Sequence, residues 1–400
     1  MSSVRTLGMT ACLVVLAVLG LGEAATASTA NDLVTERGFY VDADGRASIE
    51  SVQSASFEPF GPVLNAGYAS QPYWLRLSLP AGEVGGPSWV VRVLPAWHDE
   101  VLLYDPQFSN VPMRLGDAAP VQETDHRSLS LSFGIPQSDQ ARTIFLRVDS
   151  PHSMIVDAVV VDQVTAARMD QNGFSFLAGY LGFLCAIFIL SFLTWLSDRE
   201  RVIGVFCIQL VAAIVYSAAM YGLLRIWFVP PLSPSLLNLL THAMIVVYPS
   251  TTLVFYRFFY CEFGLSQWVA RSLDCLVILN GFSLVLIGLG LVGLALSINA
   301  VILLMAALLI LLAPWFFLRP IEDRASPLPP WTIRLSGLIL GLPALVGIIR
   351  TLDLLPESQA PVSLYLFHAM MLSIIVAMVM QYRSRKRAVA LEESRLLAVK

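Results

Sequence analysis

Two hydrophobic patterns divide this chain of 400 residues. In residues 28–172, apolar and polar positions alternate in short runs that end at Pro, Gly or Asp, as in Tyr73–Leu79 and 155–161. A period of two is typical of strands in an antiparallel sheet with one buried and one solvated face. The sequence therefore predicts an all-β sandwich over residues 28–170.

The second pattern consists of long apolar stretches in the rest of the chain. A membrane-spanning helix needs about 20 mainly apolar residues. Seven stretches qualify, and they predict an all-α seven-helix transmembrane bundle over residues 174–382. The predicted spans are 174–196, 202–224, 236–260, 272–293, 297–318, 332–350 and 362–382.

The first 27 residues have the features of a secretory signal peptide. Arg5 precedes an apolar run at 13–21, and Ala25-Thr26-Ala27 supplies the small side chains of a cleavage site. This apolar run is too short for a stable span. We expect cleavage after Ala27, and the alternative is an uncleaved anchor that adds an eighth span.

Charge is distributed unevenly along the chain. Residues 28–172 hold 18 acidic side chains and 9 Arg, which leaves 11 acidic and 16 basic side chains elsewhere. The predicted outer loops hold only Arg225 and Arg350, whereas a basic run at 383–387 follows the last span. By the positive-inside rule, this distribution predicts a multi-pass protein of the bacterial inner membrane. Its amino-terminal domain is expected in the periplasm and its carboxyl end in the cytoplasm.

Composition also argues against several classes of function. The only lysines are Lys386 and Lys400, so no span offers the Schiff-base lysine of a retinal pigment. No acidic residue lies in the middle of a predicted span, although ion pumps usually carry one there. No nucleophile–base set, phosphate loop or metal-ligand spacing is visible. We therefore predict no enzymatic activity, no cofactor, no metal site and, given the acidic domain, no nucleic-acid partner.

Several motifs in the amino-terminal region, taken in order, resemble one known family. They are YWLRL at 73–77, the strand from Trp89 to Pro95, DEVLLY at 99–104, LGD at 115–117, Arg127, and IFLRV at 144–148. This series resembles the second type of extracellular domain (7TMR-DISMED2) of seven-transmembrane receptors with diverse intracellular signalling modules. The resemblance implies a jelly-roll-like sandwich and a sugar or other small molecule as the ligand outside the membrane.

The residues that could contact such a ligand lie in two loops. Sugars stack on exposed aromatic rings and form hydrogen bonds with acids, amides and arginines. The candidates are Trp97, His98, Asp99, His126 and Arg127. The alternative is that these side chains serve packing or contacts between domains, as Trp74 and Trp89 are expected to do in the core.

Two histidines are the notable polar residues of the predicted spans. His242 and His368 lie near the outer ends of the third and seventh spans. A pair at similar depth would suit an outward-facing pocket or a pH sensor. The alternative is a hydrogen bond between helices.

The predicted function is reception of a signal outside the membrane and its relay inward. Residues 383–400 contain strong helix formers and predict a cytoplasmic signalling helix, and the basic run also suits anionic membrane lipid. Family members carry a cytoplasmic effector, such as a histidine kinase or diguanylate cyclase, after this helix. We expect an effector either in the same chain beyond Lys400 or as a separate protein, and a homodimer by analogy. The alternative is a cell-envelope binding or scaffold protein without a signalling output of its own.

Overall fold

The computed structural model describes residues 31–68, 71–116, 128–228, 233–318, 330–352 and 366–379. The predicted signal peptide at 1–27 and the predicted signalling helix at 383–400 lie outside these residues.

Ten strands form two antiparallel sheets in the described residues. They are β1 Glu36–Val41, β2 Glu58–Pro59, β3 Val63–Tyr68, β4 Tyr73–Leu79, β5 Trp89–Leu94, β6 Glu100–Asp105, β7 Ser109–Leu115, β8 Leu131–Ile135, β9 Arg142–Asp149 and β10 Ser153–Asp162. The six-stranded sheet has the order β2-β1-β4-β9-β6-β7, and the four-stranded sheet has the order β3-β10-β5-β8. The predicted all-β sandwich is confirmed.

The core lies between the inner faces of the two sheets. On β4, Leu75, Leu77 and Leu79 are at most 1% exposed, and on β9 the paired Ile144 and Leu146 are 0% exposed. Alternate strand residues point to the same face, so the period-two pattern delivers these side chains to one layer. Burial of each such side chain contributes roughly 1.5–3 kcal/mol.

The helices begin with a short α1 that packs on the sandwich and continue with the apolar segments. They are α1 Ile49–Gln53, α2 Gln163–Asp198, α3 Arg201–Met220, α4 Leu223–Phe228, α5 Pro234–Cys261, α6 Gln267–Gly288, α7 Val292–Phe316, α8 Pro330–Thr351 and α9 Leu366–Val379. In the described part of the chain, six of them are long and apolar enough to cross a membrane. The apolar α9 is shorter over its described residues, so the count of seven spans stays a prediction.

Two helix boundaries differ from the predicted spans. The helix α2 has 36 residues and begins at Gln163, eleven residues before the predicted first span. Its first turns contain polar residues, which a hydropathy reading assigns to the soluble domain. The predicted second span, 202–224, is divided at Gly222, whose φ of 71° interrupts the helix before the short α4.

The chain divides into two compact units. The first contains Met1–Ser175 together with Ala219–Leu240 and Thr351–Ser363, and the second contains Phe176–Ala218, Thr241–Arg350 and Leu364–Lys400. The sandwich, α4 and the beginning of α5 therefore belong to the first unit.

Polar side chains link helices within the second unit. On α6, the Asn280 amide donates to the Val246 carbonyl at 3.2 Å and to the Ser250 hydroxyl at 2.9 Å, both on α5. Arg257 and Asp274 join the same two helices at 3.1 Å. Hydrogen bonds of this kind hold helices together where both helices are apolar.

Candidate functional site

A buried ion pair fastens the beginning of α2 to the outer face of the four-stranded sheet. Arg92 on β5 is 4% exposed, and its Nη2 lies 2.9 Å from Oδ1 of Asp170 on α2. Its Nη1 donates to the Ala166 carbonyl at 2.9 Å. Because burying an unpaired guanidinium is costly, the position of Asp170 and hence of the helix is tightly linked to Arg92.

A row of buried serines continues this contact. The Ser128 hydroxyl donates to Oδ1 of Asp170 at 2.7 Å, and the hydroxyls of Ser128 and Ser130 lie 2.8 Å apart. The Ser130 and Ser132 hydroxyls are separated by the same distance. We call Arg92, Ser128 and Asp170 the helix–sheet joint, because they connect β5 and the segment before β8 with α2.

The short helix α4 reaches the same joint. Arg225 is 9% exposed and its Nη2 donates to the Ser128 carbonyl at 3.3 Å. A Cβ built on Gly222 would lie 3.4 Å from the Cβ of Ala96, so the turn before α4 passes close to the loop after β5. Ser128 therefore contacts α2 through its hydroxyl and α4 through its carbonyl.

Asp162 caps the beginning of α2. Its Oδ1 accepts from the Thr165 backbone N–H at 2.9 Å, and its Oδ2 accepts from the Thr165 hydroxyl at 2.5 Å. These bonds stabilise the ionised carboxylate and lower the pKa of Asp162. The capping fixes the point at which β10 ends and the helix starts.

The outer face of the six-stranded sheet carries an aromatic cluster. Trp74 is 1% exposed and its ring centroid lies 5.3 Å from that of Tyr104, while the Phe57 and Phe145 centroids lie 6.0 Å apart. The Arg76 guanidinium lies 4.9 Å from the Phe57 ring centroid. We call these five residues the aromatic face. The rings pack against Ile49 and Val52 of α1.

The partly exposed Tyr104 lies within electrostatic range of Glu100 and Arg147. Glu100 lies 2.7 Å from Arg114 and 3.6 Å from Arg147. Burial raises the pKa of Tyr104 above its ordinary value of 10, and the phenol, which is protonated at neutral pH, can donate a hydrogen bond. A partly exposed ring beside carboxylates and guanidinium groups is the combination that binds sugars and other polar solutes.

Three predicted ligand residues lie together in the loop between β5 and β6. Trp97 is 8% exposed and His98 is 0% exposed, so neither offers an open surface for stacking. The His98 Nε2 lies 3.1 Å from the Ile155 carbonyl, and burial lowers the pKa of this histidine to about 4. The ring is therefore neutral at pH 7, and its burial accords with the packing alternative.

Asp99 meets two residues from distant parts of the chain. Its Oδ2 accepts from the Asn238 amide of α5 at 3.1 Å, and its Oδ1 lies 3.9 Å from Nε2 of His152, in the turn between β9 and β10. The ring centroids of Trp97 and His152 are 6.4 Å apart. We call Asp99, His152 and Asn238 the base cluster.

The other predicted site residues are placed as follows. His126 and Arg127 lie outside the described residues. His242 is 4% exposed on α5, and His368 is 7% exposed on α9. The His368 Nδ1 lies 2.9 Å from the Leu340 carbonyl of α8, which is the geometry of an interhelical hydrogen bond.

Sequence reasoning missed His152, Asn238 and Arg225 as partners of the sandwich loops. His152 follows a Pro in a turn and Asn238 is a single amide in an apolar helix, so neither belongs to a local motif. Arg225 gave the one usable signal, because it is a positive charge in a predicted outer loop, where such charges are disfavoured.

Comparison with known proteins identifies the sandwich. Residues 35–162 match the family model described as 7TMR-DISM extracellular 2. No curated protein matches the chain. The match spans the strands from β1 to β10 and confirms the resemblance found in the sequence motifs. Residues 35–162 are therefore similar to the 7TMR-DISM extracellular 2 domain, and this region together with the apolar helices fits a multi-pass membrane receptor.

Proposed function

We propose that this protein is a transmembrane receptor of a bacterial inner membrane. Its sandwich faces the periplasm and binds a solute, and its helices relay the bound state to a cytoplasmic effector. The observation that carries this proposal is that one compact unit contains the extracellular-type domain and the segments Ala219–Leu240 and Thr351–Ser363. Both segments contain predicted outer loops of the membrane region, together with adjoining ends of the predicted spans.

Three contacts within this unit support the proposed orientation. Arg225 bonds the Ser128 carbonyl at 3.3 Å, Asn238 bonds Asp99 at 3.1 Å, and the Ser153 hydroxyl donates to the Thr351 carbonyl at 3.0 Å. The partners in the sandwich lie in loops or at strand ends, where side chains are available to neighbouring segments. Arg225 thereby gains a specific role, which accounts for a positive charge in an outer loop despite the positive-inside rule.

The aromatic face is the proposed surface for solute binding. Tyr104 offers a ring edge and a phenol donor, and Glu100 and Arg147 supply an acceptor and donors beside it. A sugar could stack its apolar face on the ring and exchange hydrogen bonds with the charged groups. Tyr104 is the ring proposed for contact with a carbohydrate-like solute, because it is partly exposed, unlike Trp74 and Phe145 of the same face and Trp97 and His98 in the loop after β5.

The proposed relay uses chain continuity. The helix α2 begins on the sandwich and continues for 36 residues, long enough to enter and cross a membrane. A solute that binds one arrangement of the sandwich more tightly than another would shift the protein toward the first arrangement and, with it, the attached helix. The size of this shift is set by the difference in the solute's affinity for the two arrangements. The effector would receive this change through the helices, either in the same chain or as a bound partner, and a homodimer would present two such helices.

A fusion of the full chain to a diguanylate cyclase tests the proposal. Cells carrying the fusion would be exposed to a panel of mono- and oligosaccharides, and cyclic dinucleotide production would be measured. We expect a response to one class of solute, reduced tenfold or more in sensitivity by Tyr104→Ala. Phe108→Ala, which removes a half-exposed ring outside the aromatic face, is the matched control. A different outcome is cyclic dinucleotide production that responds to no solute, even though the unaltered protein binds one and Tyr104→Ala does not. That result would favour the scaffold alternative.

A further inference from the structure

The base cluster gathers metal-binding atoms from three distant segments of the first unit. Asp99 precedes β6, His152 lies between β9 and β10, and Asn238 lies near the beginning of α5. They supply a carboxylate, an imidazole and an amide oxygen, which are all common ligands of divalent metal ions. His152 is 3% exposed and Asn238 is 8% exposed, so the atoms that they offer are removed from most solvent.

The Asn238 amide has an oxygen that the described residues leave unsatisfied. Its nitrogen donates to Asp99, but its buried Oδ1 has no hydrogen-bond donor in the described part of the chain. Leaving a buried acceptor without a partner costs about 1–3 kcal/mol. The hydrogen bond from the amide nitrogen to Asp99 restricts the orientation of the amide group that carries this oxygen. A cation beside both oxygens would remove the cost.

The spacing of the other two groups suits a shared ion. Ligands about 2.0–2.2 Å from a tetrahedral Zn²⁺ lie about 3.4 Å from each other. The Asp99 Oδ1 and the His152 Nε2 are 3.9 Å apart, which is too long for a hydrogen bond but within reach of a common metal. A small rotation of either side chain closes the difference of about 0.5 Å.

We propose that Asp99, His152 and Asn238 bind a divalent transition-metal ion. The imidazole favours Zn²⁺ and similar ions over Mg²⁺ and Ca²⁺, which prefer sites made of oxygen atoms alone. The bound ion fixes the loop before β6 and the turn before β10 to α5. The site goes beyond solute sensing at the aromatic face and does not depend on it. Sequence spacing gave no sign of it, because its ligands are separated by tens of residues.

Isothermal titration calorimetry of the full chain in lipid nanodiscs, after treatment with a chelator, tests the site. We expect one Zn²⁺ per chain to bind, and Mg²⁺ to bind at least a hundredfold more weakly. Asp99→Asn, His152→Gln and Asn238→Ala should each weaken Zn²⁺ binding tenfold or more. Asp139→Asn and Asn110→Ala remove an exposed carboxylate and an exposed amide elsewhere on the sandwich, and should leave binding unchanged.

Thermal unfolding without metal shows whether each of the three site variants folds. Zn²⁺ binding is then compared with the unaltered protein for every site variant that folds. Visible absorption of bound Co²⁺ should show a nitrogen ligand in the unaltered protein and lose this signature in His152→Gln. Absence of stoichiometric Zn²⁺ binding would overturn the proposal, as would binding that all three substitutions leave unchanged. Because no solute or effector is involved, these results are independent of whether the receptor proposal holds.

Discussion

The two sheets of the sandwich differ in what covers their outer faces. On the six-stranded sheet, strands such as β6 alternate between buried and partly exposed residues. On the four-stranded sheet, eight of the first nine positions of β10 are buried, all except Asp157, so both faces of this strand are covered. The first turns of α2 account for the difference, since Ala166 and Met169 pack against Val90 and Val161.

This difference separates two roles within one domain. The six-stranded sheet keeps a partly solvated face with rings and ion pairs, which is the surface proposed for solute binding. The outer face of the four-stranded sheet is covered instead by the first turns of α2, the helix that leads into the membrane region. Strands whose residues are apolar on both faces, such as β10, therefore indicate which sheet packs against the helix, whereas alternating strands such as β6 indicate the sheet with a solvated face.

Breaking the joint should have the largest effect. Arg92→Ala removes the guanidinium that pairs with the Asp170 carboxylate, so we expect a loss of about 3 kcal/mol in the free energy of opening of β5 and β10. This value lies at the low end for buried pairs because the Asp170 side chain is 22% exposed. Hydrogen exchange of strand amides in the full chain measures this free energy. A loss below about 1 kcal/mol would mean that the pair is not what holds the helix.

Removing one hydroxyl from the joint should have a smaller effect. Ser128→Ala deletes the donor to Asp170 but keeps the carbonyl that accepts from Arg225. A hydrogen bond to a charged group contributes about 1.5–3 kcal/mol, so we expect opening of the first turns of α2 to become easier by about 2 kcal/mol. Exchange in α4 should be unchanged. An equal effect on α4 would show that the two contacts of Ser128 are coupled.

Loss of the α2 cap should cost about 1 kcal/mol. Asp162→Ala removes the carboxylate that accepts from Thr165. Because the folded pKa of Asp162 is lowered, its stabilisation is present above the ordinary value of 3.8 and is lost as pH falls through the lower folded value. The unaltered protein and Asp162→Ala should therefore converge in helix-opening free energy over the pH range below 3.8. A constant gap across that range would contradict the capping role.

A change on the solvated sheet should have the smallest effect. Arg114 is 51% exposed where it pairs with Glu100, so Arg114→Ala should change the free energy of opening of β6 by less than about 0.5 kcal/mol. The effect should shrink further at high salt. A loss comparable to that of Arg92→Ala would remove the contrast between the sheets.

Local patterns were sufficient to predict the sandwich and most spans. The alternation over Tyr73–Leu79 predicted a half-buried strand, and the apolar stretches predicted seven spans, six of which correspond to described helices that are long and apolar enough to cross a membrane. The beginning of α2 was assigned to the soluble domain instead, because Arg168 and Asp170 interrupt its apolar pattern. Hydropathy cannot register that Asp170 is matched by Arg92, which lies 78 positions earlier in the chain.

The site residues were harder to predict for the same reason. Trp97 and His98 have side chains typical of ligand contacts, but their burial depends on pairing across the sandwich, as in the bond from His98 to Ile155. Asp99 was predicted as a ligand contact, which stays a prediction, and its polar partners His152 and Asn238 come together only through the fold.

Hydrogen exchange over the first turns of α2 tests most directly whether the four-stranded sheet holds the membrane helix. The full chain in lipid nanodiscs would be compared with Asp170→Asn and with Asp149→Asn, a control carboxylate on the six-stranded sheet that is 48% exposed. We expect amides of residues 164–175 to exchange at least tenfold faster in Asp170→Asn, which corresponds to about 1.4 kcal/mol, and to be unchanged in Asp149→Asn. Equal exchange in all three proteins would contradict the account.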